Sequence, residues 1–305
     1  MSGPPVALRR FEPADVPALH ALYDRLVAPA PGWTAGEAPV HWGADDPERR
    51  AAGLVALRGD ALVGGVSVVR VPPWLHVFPL VAADESAAAA LLDAALVHAA
   101  GPGIERIRIG VRAGEGAKRA AVAARGFARS IDMIDTVRAV AIPRRAAAPL
   151  TAELRRVAAA ELDRDALRAL HDLTFAEVPN SGPITDAELA GLLDGPDAWP
   201  AATAAWADAA GRYLGFVIGV RAADGRGRFG RVEAIGVDAA VRGHGLARRM
   251  LDDLLAQAEA DGLDEVRAMI ASTNAASLGL HRRAGFVELD RREMWDRPAG
   301  AATAG

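Results

Sequence analysis

Val237-Asp238-Ala239-Ala240-Val241-Arg242-Gly243-His244-Gly245-Leu246-Ala247 is the stretch on which the fold of this chain turns. Ahead of it, Arg231-Val232-Glu233-Ala234-Ile235-Gly236-Val237 has the apolar, β-branched make-up of a strand. Behind it, Leu246, Met250, Leu251, Leu254 and Leu255 recur at helical spacing and mark one face of a helix from Gly245 to Ala260. Small residues at Gly243, Gly245 and Ala247 let main-chain N–H groups turn inward and approach an anion closely. The positive end of the helix dipole adds to the same point, and Arg242 sets a guanidinium beside it. In physical terms this is a pyrophosphate cradle. It is not a dinucleotide fingerprint, because Arg248 stands where the third glycine would be, and the chain has no Gly-Lys-Ser/Thr of a P-loop.

Working outward, the second half alternates strand-like and helical stretches. Leu154–Ala159 reads as a strand, and Asp163 caps a helix through Phe175, with Leu167, Leu170 and Leu173 on one face. Thr185-Asp186-Ala187-Glu188 is a capping box opening a helix through Leu193. Ala201–Ala207 and Tyr213–Arg221 read as strands, followed by the cradle, a strand at Val266–Ala271, a helix at Ala275–Ala284 and a strand at Phe286–Trp295. This order points to an α/β (α+β) domain with a partly parallel sheet.

The first half runs through the same order. Val6–Phe11, Leu54–Leu57, Leu62–Arg70, Val77–Val81, Ile104–Val111 and Ile131–Val140 read as strands, and Asp15–Leu26, Ser86–Ala99 and Lys118–Ala124 as helices. Arg125-Gly126-Phe127 matches Ala284-Gly285-Phe286 at an offset of 159 residues, and the same offset carries Leu92-Asp93 onto Leu251-Asp252. One offset satisfying both landmarks indicates duplication of a whole domain. Two prolines bracketing the stretch 143–149 mark a linker. The expected division is a first domain over 1–145, a second over 146–299, and a disordered tail over 300–305. Under the same offset the cradle falls on Ala83-Asp84-Glu85-Ser86-Ala87-Ala88, which has no glycine or arginine and two acids. Carboxylates repel a pyrophosphate, so the first domain is expected not to bind one.

The order Arg242-x-x-Gly245-x-Ala247 between a strand and a helix resembles the coenzyme-A pyrophosphate loop of the GNAT superfamily, Gln/Arg-x-x-Gly-x-Gly/Ala. Asn274-Ala275-Ala276-Ser277-Leu278-Gly279-Leu280-His281-Arg282-Arg283-Ala284-Gly285-Phe286 resembles a second element of that family, Asn-x-x-Ala/Ser-x-x-Leu-Tyr-x-Lys/Arg-x-Gly-Phe. The two blocks have the family's order and separation. The resemblance implies two tandem GNAT-like domains, each a mixed, mostly antiparallel sheet flanked by helices, the second alone carrying the loop. It implies an N-acetyltransferase using acetyl-coenzyme A as co-substrate, an amine acceptor on a small molecule or a peptide, and direct attack with no covalent enzyme intermediate. The main chain of Ile235, Gly236 and Val237 would bind the pantetheine arm. The amides of Gly243, His244, Gly245, Leu246, Ala247 and Arg248 would hold the pyrophosphate, and Asn274 would fix the cofactor from the other side.

Deprotonating the acceptor needs a base, for which Glu233 is the first candidate. Strict alternation puts it on the face of Ile235 and Val237, where partial burial would raise its pKa. The structural alternative is an ion pair with Arg231 or Arg267. The family's tyrosine acid is replaced here by His281, which can give up a proton near neutral pH. His171 and Glu177 are candidates to line the acceptor pocket. A non-catalytic acyl-coenzyme-A sensor is the contrasting reading of the same cradle.

Composition narrows the field further. With 35 Lys and Arg against 39 Asp and Glu, the formal net charge of −4 disfavours nucleic acid as a partner. The absence of cysteine excludes thiolate catalysis and cysteine metal sites, and the seven histidines lack metal-ligand spacing, so no metal is expected. The N-terminus lacks a signal-peptide pattern, and no apolar run approaches the roughly 18 residues of a membrane span. A soluble cytoplasmic protein is the expectation.

Overall fold

A computed structural model describes residues 5–27, 42–44, 46–97, 102–143, 154–176, 178, 182–224 and 227–300. In chain order its elements are β1 (Ala7–Arg10), α1 (Val16–Val27), α2 (Pro47–Ala52), β2 (Leu54–Arg58), β3 (Ala61–Val71), β4 (Trp74–Ala82), α3 (Glu85–Leu96), β5 (Arg106–Arg112), α4 (Gly116–Ala124) and β6 (Ala128–Ala139). They continue with β7 (Arg155–Ala158), α5 (Arg164–Phe175), α6 (Asp186–Asp194), β8 (Ala204–Ala207), β9 (Tyr213–Asp224), β10 (Gly227–Val237), α7 (Leu246–Ala260), β11 (Glu265–Ala271), α8 (Ala275–Arg283) and β12 (Val287–Pro298). No helix among the described residues is long and apolar enough to cross a membrane.

The chain forms two compact units. One is built from residues up to Met133 together with those from Asp290 onward, the other from Ile134–Leu289. In the first, the strand order is β1-β2-β3-β4-β5-β12, antiparallel except for the β4–β5 pair. In the second it is β7-β8-β9-β10-β11-β6, with β10–β11 parallel and β7 through β10 antiparallel. The two topologies repeat each other, as the duplicated element order led one to expect.

The offset of 159 holds for β5 onto β11 and for α4 onto α8, residue for residue. It fails upstream. The parallel register aligns Trp74 with Arg106 in one unit and Phe229 with Glu265 in the other, which makes Trp74 the counterpart of Phe229. Between β4 and α3 stand two residues, Ala83 and Asp84, against eight between β10 and α7, Asp238–Gly245. A constant offset cannot represent that length difference. The first unit lacks the loop itself as well as its glycines.

The unit boundaries also differ from the division at 145/146, because each unit is completed by a strand from the other half of the chain. Arg292–Pro298 of β12 pair with Arg106–Arg112 of β5. Across that pairing Arg108 and Asp296 form a buried bidentate ion pair, with Nε–Oδ1 2.6 Å and Nη2–Oδ2 2.5 Å. Reciprocally, β6 lies beside β11, where the Thr136 hydroxyl donates to the Ala268 carbonyl at 3.0 Å and Arg138 donates to that of Ala284 at 2.8 Å. The linker stretch lies outside the described residues from 144 onward, as does the tail from 301.

Each sheet buries both faces. In the second unit α7 supplies Leu246, Met250, Leu251, Leu254 and Leu255 to one core, with Val232, Val266 and Ile270. The other face packs α5 and α6 through Leu167, Leu170 and Leu189 onto Phe216, Ile218 and Ala234. The Thr185–Glu188 capping box and the Asp163 cap are both formed, which sets where α6 and α5 begin. Gly236 lets α5 come close: a Cβ there would lie 2.5 Å from Thr174 Oγ1 and 2.4 Å from Phe216 Cε1.

Candidate active site

Strands β10 and β11 pair only over Phe229–Val232 and Glu265–Ala268. Beyond that register β10 runs on to Val237, holding β9 on one side through Ala234–Val237. Ile235, Gly236 and Val237 therefore sit where the parallel pair parts, with one backbone edge engaged and the other open to a ligand.

The loop that follows is short-range in its own bonding. Asp238 accepts from Ala240 N–H at 2.9 Å, and the Arg242 Nε donates to the Val237 carbonyl at 3.0 Å, folding the loop back on the strand end. Gly243 and Gly245 have φ of +83° and +85°, a backbone conformation that side chains disfavour. Gly245 is the N-cap of α7 and offers no side-chain acceptor, so among the described residues no side chain caps the first N–H groups of this 15-residue helix. Arg242, Gly243, His244 and Gly245 are exposed, while Leu246 is buried and anchors the helix start. Ala247 and Arg248 lie half-buried in the first turn. The Arg248 side chain is committed elsewhere: it grips Asp252 at 2.9 Å and donates to the Arg283 carbonyl at 3.1 Å, tying α7 to the end of α8.

The corresponding helix start in the first unit is filled by the protein. Asp84 accepts from Ala87 N–H at 3.1 Å, from Ser86 Oγ at 2.7 Å and from both Arg58 Nη atoms at 2.7 and 3.0 Å. The Arg58 guanidinium holds the Asp84 carboxyl well below the usual carboxylate range.

Glu233 is exposed rather than partly buried. Strict alternation fails at this residue, because β10 carries a bulge between Val232 and Ala234. Val232 and Ile235 both belong to the α7-side core, whereas Ala234 belongs to the α5-side core. The extra residue therefore shares the α5-side face with Ala234 and Arg231, away from Ile235 and Val237. Among the described residues its one ionic contact is to Arg231, at 3.8 Å. Arg267 instead pairs with Glu265 through Nε at 2.6 Å, and its Cζ sits over the Phe229 ring, 3.7 Å from the centroid.

His281 is 2% exposed and meets Phe286 edge-on. Its Nδ1 lies 2.9 Å from the Ser277 carbonyl, which only accepts, so Nδ1 carries the proton. Nε2 is then a lone-pair acceptor, buried and without a hydrogen-bond partner among the described residues. Burial pushes the imidazole below its ordinary range. Neutral His281 has no proton to donate from Nε2, and the acid role would need a charged ring that burial disfavours. Asn274 caps α8, accepting from Ser277 N–H at 3.0 Å, which accounts for its oxygen independently of any cofactor. His171 stacks on Phe175 at 4.5 Å and lies 3.1 Å from Asp172, inside the α5-side core. Glu177 lies outside the described residues.

Among the described residues, a repeated α/β unit in which one copy keeps two positive-φ glycines ahead of a helix, beside a parted pair of parallel strands, defines a tandem protein with one glycine-rich strand–loop–helix. Residues 165–286 match the acetyltransferase (GNAT) family, and the chain spans less than two thirds of the length of the curated relatives it matches. It is 33% identical over 203 residues to a mycothiol acetyltransferase of Clavibacter michiganensis, spanning 65% of this chain and 63% of that protein. In fold it is similar to a GCN5-related N-acetyltransferase from Sphaerobacter thermophilus, with TM-score 0.77, 16% identity and 96% of each chain covered. It is also similar to a tandem GNAT protein from the clavulanic acid biosynthesis pathway, with TM-score 0.66, 16% identity, and coverage of 97% of this chain and 99% of that one.

Proposed function

We propose that the second unit is an N-acetyltransferase that moves the acetyl group of acetyl-coenzyme A to a primary amine by direct attack. The observation that carries this reading is the uncapped start of α7, preceded by two glycines of positive φ and set beside the open edge of β10. That donor set suits a diphosphate attached to an extended chain. Acetyl-coenzyme A, when bound, supplies a thioester whose C–S bond breaks as the amine's C–N bond forms, coenzyme A leaving as the thiolate. The main chain of Ile235, Gly236 and Val237 orients the pantetheine arm, and the amides of Gly243–Arg248 hold the diphosphate. Glu233, exposed at the bulge, takes the proton of the incoming ammonium directly or through water. His281 Nε2 offers an acceptor near the site rather than an acid.

The first unit binds no coenzyme A in this scheme, since its helix start is closed by Asp84 and its loop is two residues long. The neutral, buried state of His281 favours a second reading, a sensor that binds acyl-coenzyme A without turnover. Thiol release from acetyl-coenzyme A in the presence of a pool of amines tests the two. Acetylation of any amine supports the enzyme; tight binding with no thiol release across the pool supports the sensor.

A further inference from the structure

Arg231 and Glu233 flank Val232 on the α5-side face and make the loosest kind of ion pair. Nη1 and Oε2 are 3.8 Å apart, and the side chains are 45% and 36% exposed. Neither makes any other polar contact among the described residues; Arg231 adds only a contact with the Phe229 ring at 5.7 Å. One residue past the last paired position of β11, Met269 is 50% exposed. A cation and an anion held to each other only at 3.8 Å can exchange that contact for the two opposite charges of a small zwitterion.

The duplicated unit serves as an internal control. The parallel register makes Trp74 the counterpart of Phe229, and Arg108 that of Arg267. The arginine-on-aromatic stack occurs in both units, with Arg108 over Trp74 at 4.1 Å and Arg267 over Phe229 at 3.7 Å, each arginine being ion-paired. That stack belongs to the scaffold. The counterparts of Arg231 and Glu233 are His76 and Phe78, so the charged pair exists only in the unit with the cradle.

We infer that the acceptor is an α-amino acid, an amine with a free carboxylate one carbon away. This rests on the acetyltransferase reading of the same unit and specifies its acceptor. The ammonium takes Glu233, the carboxylate takes the Arg231 guanidinium, and the side chain lies along Met269. One ligand with adjacent opposite charges replaces a pair too far apart to hydrogen-bond, and charge-assisted bonds to both ends orient the amine.

The test titrates L-leucine, L-leucinamide and isopentylamine into coenzyme-A-saturated protein by calorimetry, and compares their acetylation rates with acetyl-coenzyme A. L-Leucine is expected to bind and react best. Arg231→Gln is expected to cut the preference for L-leucine over L-leucinamide by about tenfold or more in both Kd and kcat/KM. Equal or better use of the amide by the unaltered protein, as for a peptide N-terminus, overturns the inference, and so does a preference that Arg231→Gln leaves unchanged. If no amine is acetylated, the acetyltransferase reading fails, while the binding preference alone still decides whether this face takes an α-amino acid. Absence of carboxylate-dependent binding overturns that class.

Discussion

The Nδ1–H of His281 donates to the Ser277 carbonyl one helical turn back, at 2.9 Å, and this single bond fixes the tautomer of a buried ring. Its folded-state pKa is lowered, chiefly by burial, so the unfolded chain holds the proton more readily. Stability is therefore complete above the ordinary imidazole value of about 6.5 and falls as pH drops below it. His76 in the first unit is lowered in the same way and contributes over the same range. The expected outcome is that His281→Phe flattens part of the acid limb of denaturant-unfolding free energy, with nitrogen NMR showing Nδ1 protonated in the parent protein. A charged His281 ring at neutral pH would contradict the assignment.

Gly245→Asp places a carboxylate at the uncapped start of α7. Aspartate tolerates positive φ better than most residues and makes a good helix cap, so the fold is retained. The same carboxylate takes the N–H groups and the space meant for a diphosphate. Coenzyme A affinity by calorimetry should fall by more than about a hundredfold with the circular dichroism unchanged. Unaltered affinity would remove the loop from the binding site.

Glu233→Gln keeps shape and removes basicity. With the residue at the bulge and exposed, the fold should be indifferent to the change. The expected loss is about a hundredfold in kcat, with coenzyme A affinity intact and the largest deficit at low pH, where the amine is hardest to deprotonate. A superimposable pH–rate profile would exclude Glu233 as the base.

Gly236→Ala tests packing rather than chemistry. The added methyl meets Phe216 and Thr174 within 2.4–2.5 Å and must push α5 off the sheet. A destabilisation of about 1–3 kcal/mol is expected from chemical denaturation. A neutral effect would mean that α5 rides loosely on β10.

Asp296→Ala removes the carboxylate of a buried bidentate ion pair with Arg108. The cost expected for breaking such a pair is about 3–5 kcal/mol. Because Asp296 lies on the strand that β12 contributes to the first unit, the loss should appear as early unfolding of that unit by hydrogen exchange at β5. Equal exchange at β5 in both proteins would show the strand to be dispensable.

Much of the second unit was legible without coordinates because its signals are local. The Asp163 cap, the Thr185–Glu188 box and the leucine face of α7 each depend on residues within one or two helical turns. The glycines of the cradle are legible for the same reason, since positive φ is a property of the residue itself. What failed was inference by counting. Alternation along β10 missed the bulge at Glu233, and a constant offset missed the six-residue difference between the β4–α3 and β10–α7 loops. The short helix α2 had no strong periodic signal to find.

The sequence by itself determined the order of elements, their duplication, and which copy holds a cradle, because spacing, caps and glycines act over a few residues. Only the tertiary structure decided which strands complete each sheet, which face Glu233 presents, and that His281 is buried with its proton on Nδ1. Those outcomes depend on hydrogen bonds and burial between residues far apart in the chain, such as Arg108 with Asp296 and Thr136 with Ala268. No local pattern encodes them, since a strand's own residues do not specify which edge it will join.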